Sequence, residues 1–117
     1  MKPEEIDQIK VMEWIQVKYP EIYPLTVHVA NERRCSLARG FKLKRMGVKA
    51  GFPDIFIAYP VHPYHGLFIE LKVGKNKATE TQKDMLEQLS AQGYMCALVW
   101  GHEAAEKVIE SYLEIPA

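Results

Sequence analysis

The chain has 117 residues, 48% of them hydrophobic and 26% charged, with 15 Lys and Arg balanced by 15 Asp and Glu. That length bounds it to one domain over residues 1–117 with a modest core. No apolar run approaches the roughly 20 residues of a membrane span, no signal-peptide segment follows Met1, and Cys35 and Cys96 lack metal-ligand spacing, so a cytoplasmic protein with free thiols and no membrane partner is expected.

In chain order, Pro3 to Lys18 reads as a helix, because proline suits the first turn and Glu4, Glu5 and Asp7 suit the positive end of the helix dipole. On a helical wheel Ile6, Ile9 and Val17 fall on one side and are expected to face inward, with Glu13 an unexpected companion. Tyr19-Pro20 ends that helix, Leu25 to Ala30 leans towards an edge or second strand, and Asn31 to Arg34 is a polar turn. Ser36 to Met46 predicts a helix with Leu37, Phe41 and Met46 inward and its bases outward, stopped by Gly47. Phe52 before Pro53 must be extended, and Pro53 fixes the entry to a strand over Ile55 to Tyr59. Pro60, Pro63 and Gly66 punctuate the link to a second strand, which ends Glu70-Leu71-Lys72.

Beyond a basic loop over Val73 to Lys77, Thr79 and Gln82 form a capping box for a helix carrying Met85, Leu86 and Leu89 and ending at Gly93. Tyr94 to Trp100 predicts a buried strand, and Gly101 to Leu113 a last helix through Ala105, Val108, Ile109 and Tyr112. The expected class is α/β, a mixed central sheet flanked by helices in the order α-β-α-β-β-α-β-α.

Zero net charge hides an uneven distribution. Arg33 to Lys77 holds ten bases and only two acids, Asp54 and Glu70, so this middle third carries +8 and the flanks −8. A basic face of that kind suits phosphate. The two acids are also placed for chemistry. Side chains alternate along a strand, so Glu70 and Lys72 share a face while Leu71 points the other way, and Asp54 opens the neighbouring strand. Two carboxylates converging beside one ammonium are costly unless a divalent cation lies between the carboxylates. Hard oxygen ligands suit Mg²⁺ or Mn²⁺. A surface Glu70–Lys72 salt bridge is the plain alternative for these residues taken alone. His62 and His65 lie in a Pro- and Tyr-rich link without partner cysteines and read as loop histidines.

Asp54 followed by Glu70-x-Lys72 after a hydrophobic strand resembles the PD-(D/E)xK nuclease core, and more specifically its VRR-NUC branch. The approach Gly47-Val48-Lys49-Ala50-Gly51-Phe52-Pro53-Asp54, the spacing to Thr79-x-x-Gln82, and Gly93-Tyr94 with the closing strand and helix agree with that branch. The resemblance spans roughly Glu4 to Leu113; Val29-Ala30-Asn31 sits where the branch often has an Ile-Pro-Asn turn, with Ala30 in place of the usual proline and Glu32-Arg33 in place of the usual glycine-rich continuation.

The resemblance implies a restriction-endonuclease-like core and a Mg²⁺- or Mn²⁺-dependent DNA endonuclease in a bacterial or phage-infected cytoplasm. It implies the Leu71 backbone carbonyl as a third metal ligand beside Asp54 and Glu70. Lys72 would position or deprotonate the attacking water, and Gln82 would bond the water or the scissile phosphate. Glu4 would add an outer-sphere or second-metal contact, with Glu5 a competing choice because helix phase is open by one residue. Arg33, Arg34, Arg39, Lys42, Arg45, Lys49, Lys75 and Lys77 would hold phosphates without reading sequence, with Asn31 a further candidate. Small stand-alone relatives look like homodimers acting on four-way junctions, which implies a branched-DNA substrate. Two alternatives remain at this level: a nickase or restriction-type nuclease on plain duplex, and a DNA-binding module without activity.

Overall fold

In the computed structural model, which describes residues 1–30 and 36–116, the elements run in the predicted order. They are α1 (Pro3–Lys18), β1 (Thr26–His28), α2 (Leu37–Arg45), β2 (Ile55–Ile57), β3 (Leu67–Lys72), α3 (Glu80–Ala91), β4 (Met95–Trp100) and α4 (His102–Leu113). A 3-10 turn over Tyr23–Leu25 leads into β1. Asn31, Arg33 and Arg34, expected at phosphate, and Cys35 lie outside the described residues.

The strands form one sheet in the order β1-β2-β3-β4. β1 pairs antiparallel with β2, β2 antiparallel with β3, and β3 parallel with β4. Antiparallel neighbours need only a short link, which residues 58–66 supply, whereas the parallel pair needs a crossover, which α3 provides. β3 is the central strand and is buried on both faces along its whole length. Leu67, Ile69 and Leu71 join Val11 and Ile15 of α1 and Ala105, Ile109 and Tyr112 of α4 in the hydrophobic core. On the other face Phe68 stacks on Phe56 at 4.3 Å and meets Phe52 and Tyr94 edge-on. Tyr112 ties α4 to the β2–β3 link: its hydroxyl donates to the Tyr59 carbonyl at 2.7 Å and accepts from Val61 N–H at 3.1 Å.

Three packing expectations are corrected. α1 turns the other way: it buries Val11 and Ile15 and leaves Ile6 40%, Ile9 42% and Val17 84% exposed. The helix carries apolar residues on both sides, and the side that meets α4 and β3 is the one that bears Val11 and Ile15. Glu13, out of place in an inward stripe, is exposed here. α2 forms between an N-cap at Ser36, whose hydroxyl accepts from Arg39 N–H, and Gly47 at φ 102°, yet it buries none of its residues, Leu37, Phe41 and Met46 included. β4 is half-buried rather than buried, because it closes the sheet as an edge strand.

Candidate active site

The antiparallel register Ile55↔Ile69 carries Asp54, one residue before β2, alongside Glu70, one residue further along β3. Pro53 is fully buried and sets the backbone entering the strand, and Phe52 anchors the approach against Phe68 at 5.4 Å. The Asp54 Oδ2 then accepts the Leu71 backbone N–H at 2.9 Å, so its carboxylate is fixed to the motif strand itself. The Asp54 carbonyl accepts Val29 N–H at 2.7 Å and lies 3.0 Å from His28 Nδ1, which ties β1 to the same corner.

Glu70 and Lys72 share one face of β3 and are both buried, 1% and 6% exposed, with Lys72 Nζ 3.4 Å from Glu70 Oε2. A surface salt bridge is therefore not what this pair is. Gln82, the buried residue of α3, approaches from the crossover helix: its Nε2 donates to Glu70 Oε2 at 3.3 Å. The capping box orients that amide. Gln82 Oε1 accepts Thr79 N–H at 2.9 Å and Thr79 Oγ1 accepts Gln82 N–H at 3.1 Å, which leaves the amide nitrogen to face the carboxylate. The capping bond from Thr79 N–H and the bond to Glu70 are made by one side chain.

Burial first, and then the neighbouring Asp54 carboxylate, push Glu70 up to about 7, while Lys72 opposes the rise. Hydrogen bonding with the Asp54 carboxyl adds to the rise. Such a pair of hard oxygen donors, one of them buried at a cost in charge, fits a divalent cation. Mg²⁺ in particular is held by one or two carboxylates with the rest of its shell left to water and phosphate. Among the described residues no third His, Cys, Asp or Glu joins the pair.

Glu4 is therefore not brought into the cluster. It is exposed in the first turn of α1, on the same helical meridian as Gln8, Val11 and Ile15. Glu5 is engaged elsewhere, its Oε1 accepting the Lys2 backbone N–H at 2.8 Å in the α1 capping box.

The described bases of the proposed phosphate set, Arg39, Lys42, Arg45, Lys49, Lys75 and Lys77, are all exposed. Beside them runs a groove of about 450 Å³ between α2, the 48–51 loop and the start of α3, with Gln82 in its wall. Lys44 lines it together with Lys49, and membership in the basic run is the only signal in the sequence for Lys44.

Gly51 makes the closeness of that loop to α3 possible. Its φ is +77°, and a Cβ there would lie 2.8 Å from Thr81 Cγ2 and 3.0 Å from the Thr81 backbone. Gly51→Ala is expected to cost roughly 1–3 kcal/mol from the left-handed backbone alone, with the steric conflict added. It should also lower cleavage by displacing Gln82; urea melts and single-turnover assays on one preparation check both. Gln82→Glu keeps an acceptor for Thr79 N–H but sets a third carboxyl against Glu70. It should lose activity at least tenfold with little change in helix content by circular dichroism, whereas a cap-only role predicts unchanged activity.

A family model described as the VRR-NUC domain matches residues 2–103. Among solved structures, one described as a "VRR_NUC domain protein" superposes with a TM-score of 0.85 at 32% sequence identity, covering 97% of this chain and 90% of that chain. No curated protein matches. With the family model spanning most of its length and the fold shared with a solved member, the chain belongs to the VRR-NUC family and is a nuclease domain of the PD-(D/E)xK type.

Proposed function

We propose that residues 1–117 act as one divalent-metal-dependent DNA endonuclease domain. It would hydrolyse phosphodiester bonds in branched DNA, in the manner of a junction resolvase, and work as a homodimer. The observation that carries this is the convergence of Asp54, Glu70 and Lys72 from adjacent strands, with Gln82 bonded to Glu70.

Asp54, Glu70 and the Leu71 backbone carbonyl would hold Mg²⁺ or Mn²⁺. When bound, the cation neutralises charge on the scissile phosphate and acidifies water. Lys72 is buried beside the acids, where its ammonium positions the attacking water or, as the free amine, takes its proton. Gln82 has two amide hydrogens and spends one on Glu70 Oε2, so the other can serve the water or a phosphate oxygen. The exposed bases hold phosphates and set the register without reading bases. A twofold dimer carries two such sites and nicks two strands symmetrically.

The test is cleavage of a labelled four-way junction, a plain duplex and a single strand in Mg²⁺, Mn²⁺ or EDTA. Paired, metal-dependent nicks in the junction are expected. Equal cutting of plain duplex would move the reading to a nickase or restriction-type enzyme. Binding without cutting in any metal would leave a DNA-binding module. No helix among the described residues is long and apolar enough to cross a membrane, and a cytoplasmic site of action in a bacterium or phage-infected cell fits the substrate.

A further inference from the structure

α2 leaves an apolar stripe in solvent. Leu37 is 79% exposed and Phe41, one helical turn on, is 61% exposed. A helix stripe of this kind is normally turned towards the core. Here nothing of α2 is buried, so Leu37 and Phe41 take no part in the core formed by the described residues.

The surroundings of the stripe name its occupant. Arg39, Lys42, Lys44 and Arg45 share the helix, which contains no acid. Lys44 lies three residues beyond Phe41 on the neighbouring meridian. The occupant must therefore be anionic and also offer a flat apolar face. An unstacked nucleotide has both. Aromatic side chains interleaved with bases are the means by which proteins hold unpaired nucleic acid. Continuous duplex offers no base face, because each is covered by its neighbours, whereas a branch point or frayed end does. The same helix borders the candidate site: Gly40, Leu43 and Lys44 of α2 line a groove that Gln82 also lines, and Gln82 bonds Glu70.

We propose that Leu37 and Phe41 on α2 form a stacking platform for unpaired bases, so that this helix selects branched over continuous DNA at the neighbouring nuclease site. The proposal rests on the branched-DNA reading above and adds the residues that read the branch.

The experiment uses the full chain in EDTA, with 2-aminopurine placed at the branch point of a four-way junction or inside a plain duplex. Binding is followed both by fluorescence quenching and by anisotropy. Wild type is expected to quench the branch-point probe and not the duplex probe. Phe41→Ala should abolish the quenching and weaken junction binding on the order of tenfold, leaving duplex binding unchanged. Phe41→Trp should restore both.

Because α2 buries nothing, Phe41→Ala is expected to keep the wild-type circular dichroism spectrum. Quenching and affinity in Phe41→Ala equal to wild type would overturn the proposal. So would sedimentation showing that Phe41→Ala splits a wild-type dimer and that junction binding falls with it, since the face would then belong to a second copy. The readout needs no cleavage, so an inactive protein in Mg²⁺ and Mn²⁺ would refute the nuclease reading while leaving this one decided on its own data.

Discussion

Asp54→Asn should abolish cleavage and keep the fold. The carboxamide retains an oxygen acceptor for the Leu71 N–H, which the native carboxylate holds at 2.9 Å, but it removes the charge that faces Glu70. A cation's stabilisation of transition-state charge amounts to several kcal/mol, and each 1.4 kcal/mol is tenfold in rate, so a loss of at least about 10³-fold is expected. Asp54→Ala should be equally inactive and less stable, because the Leu71 amide loses its acceptor at a cost of about 1–3 kcal/mol. Lys72→Met, which keeps the buried volume, should lose about 10²- to 10⁴-fold through the missing proton-transfer or water-positioning group. Single-turnover cleavage of a four-way junction, with urea melts of the same preparations, separates the two kinds of loss. Asp54→Asn activity within tenfold of wild type would remove this aspartate from the chemistry.

The second large effect is a linkage between protons, cation and stability. Burial first, and then the facing Asp54 carboxylate, push Glu70 up to about 7 from an ordinary value of 4.5. Between those two pH values the folded chain holds a proton that the unfolded chain has released. The stabilising contribution is thus full below about 4.5 and is lost as pH rises to about 7. Allowing for residual solvent screening it amounts to about 2 kcal/mol.

Other carboxylates titrate in the same range, so the informative quantity is wild type minus Glu70→Gln, measured by urea denaturation at pH 5 and pH 8. Mg²⁺ or Mn²⁺ should act in the opposite sense. The cation competes with the proton, so it should raise the melting temperature at pH 8 and have little effect at pH 5. At a hundred times its dissociation constant it would add about 2.7 kcal/mol. Glu70→Gln should blunt both responses. Identical cation shifts in wild type and Glu70→Gln would place the ion elsewhere.

These effects originate in parts of the molecule that differ in how legible they are from sequence. The Glu70-x-Lys72 pair could be placed on one face because a strand's period of two admits one assignment, and the central position of β3 then buried both side chains. Thr79-x-x-Gln82 was readable because a capping box is a contact within one helical turn, and it formed as expected. Helix faces were less legible. α1 has apolar residues on opposite sides, Ile6, Ile9 and Val17 against Val11 and Ile15, and local spacing cannot say which side meets a neighbour. For α2 the apolar spacing was read as a buried stripe, where the structure leaves it in solvent among bases.

The sequence by itself determined the order of the elements, the strand alternation that pairs Glu70 with Lys72, and the caps, since each depends on residues within a few positions along the covalent chain. The tertiary structure alone decided that Asp54 is anchored to the Leu71 amide and that Gln82 turns its nitrogen to Glu70. It also decided that Glu5 is spent on a cap, that Lys44 lines the groove, and that α2 offers Phe41 to solvent. Those facts depend on which surfaces meet across the sheet. That is set by the free energy of packing the whole chain, and no window of neighbouring residues contains it.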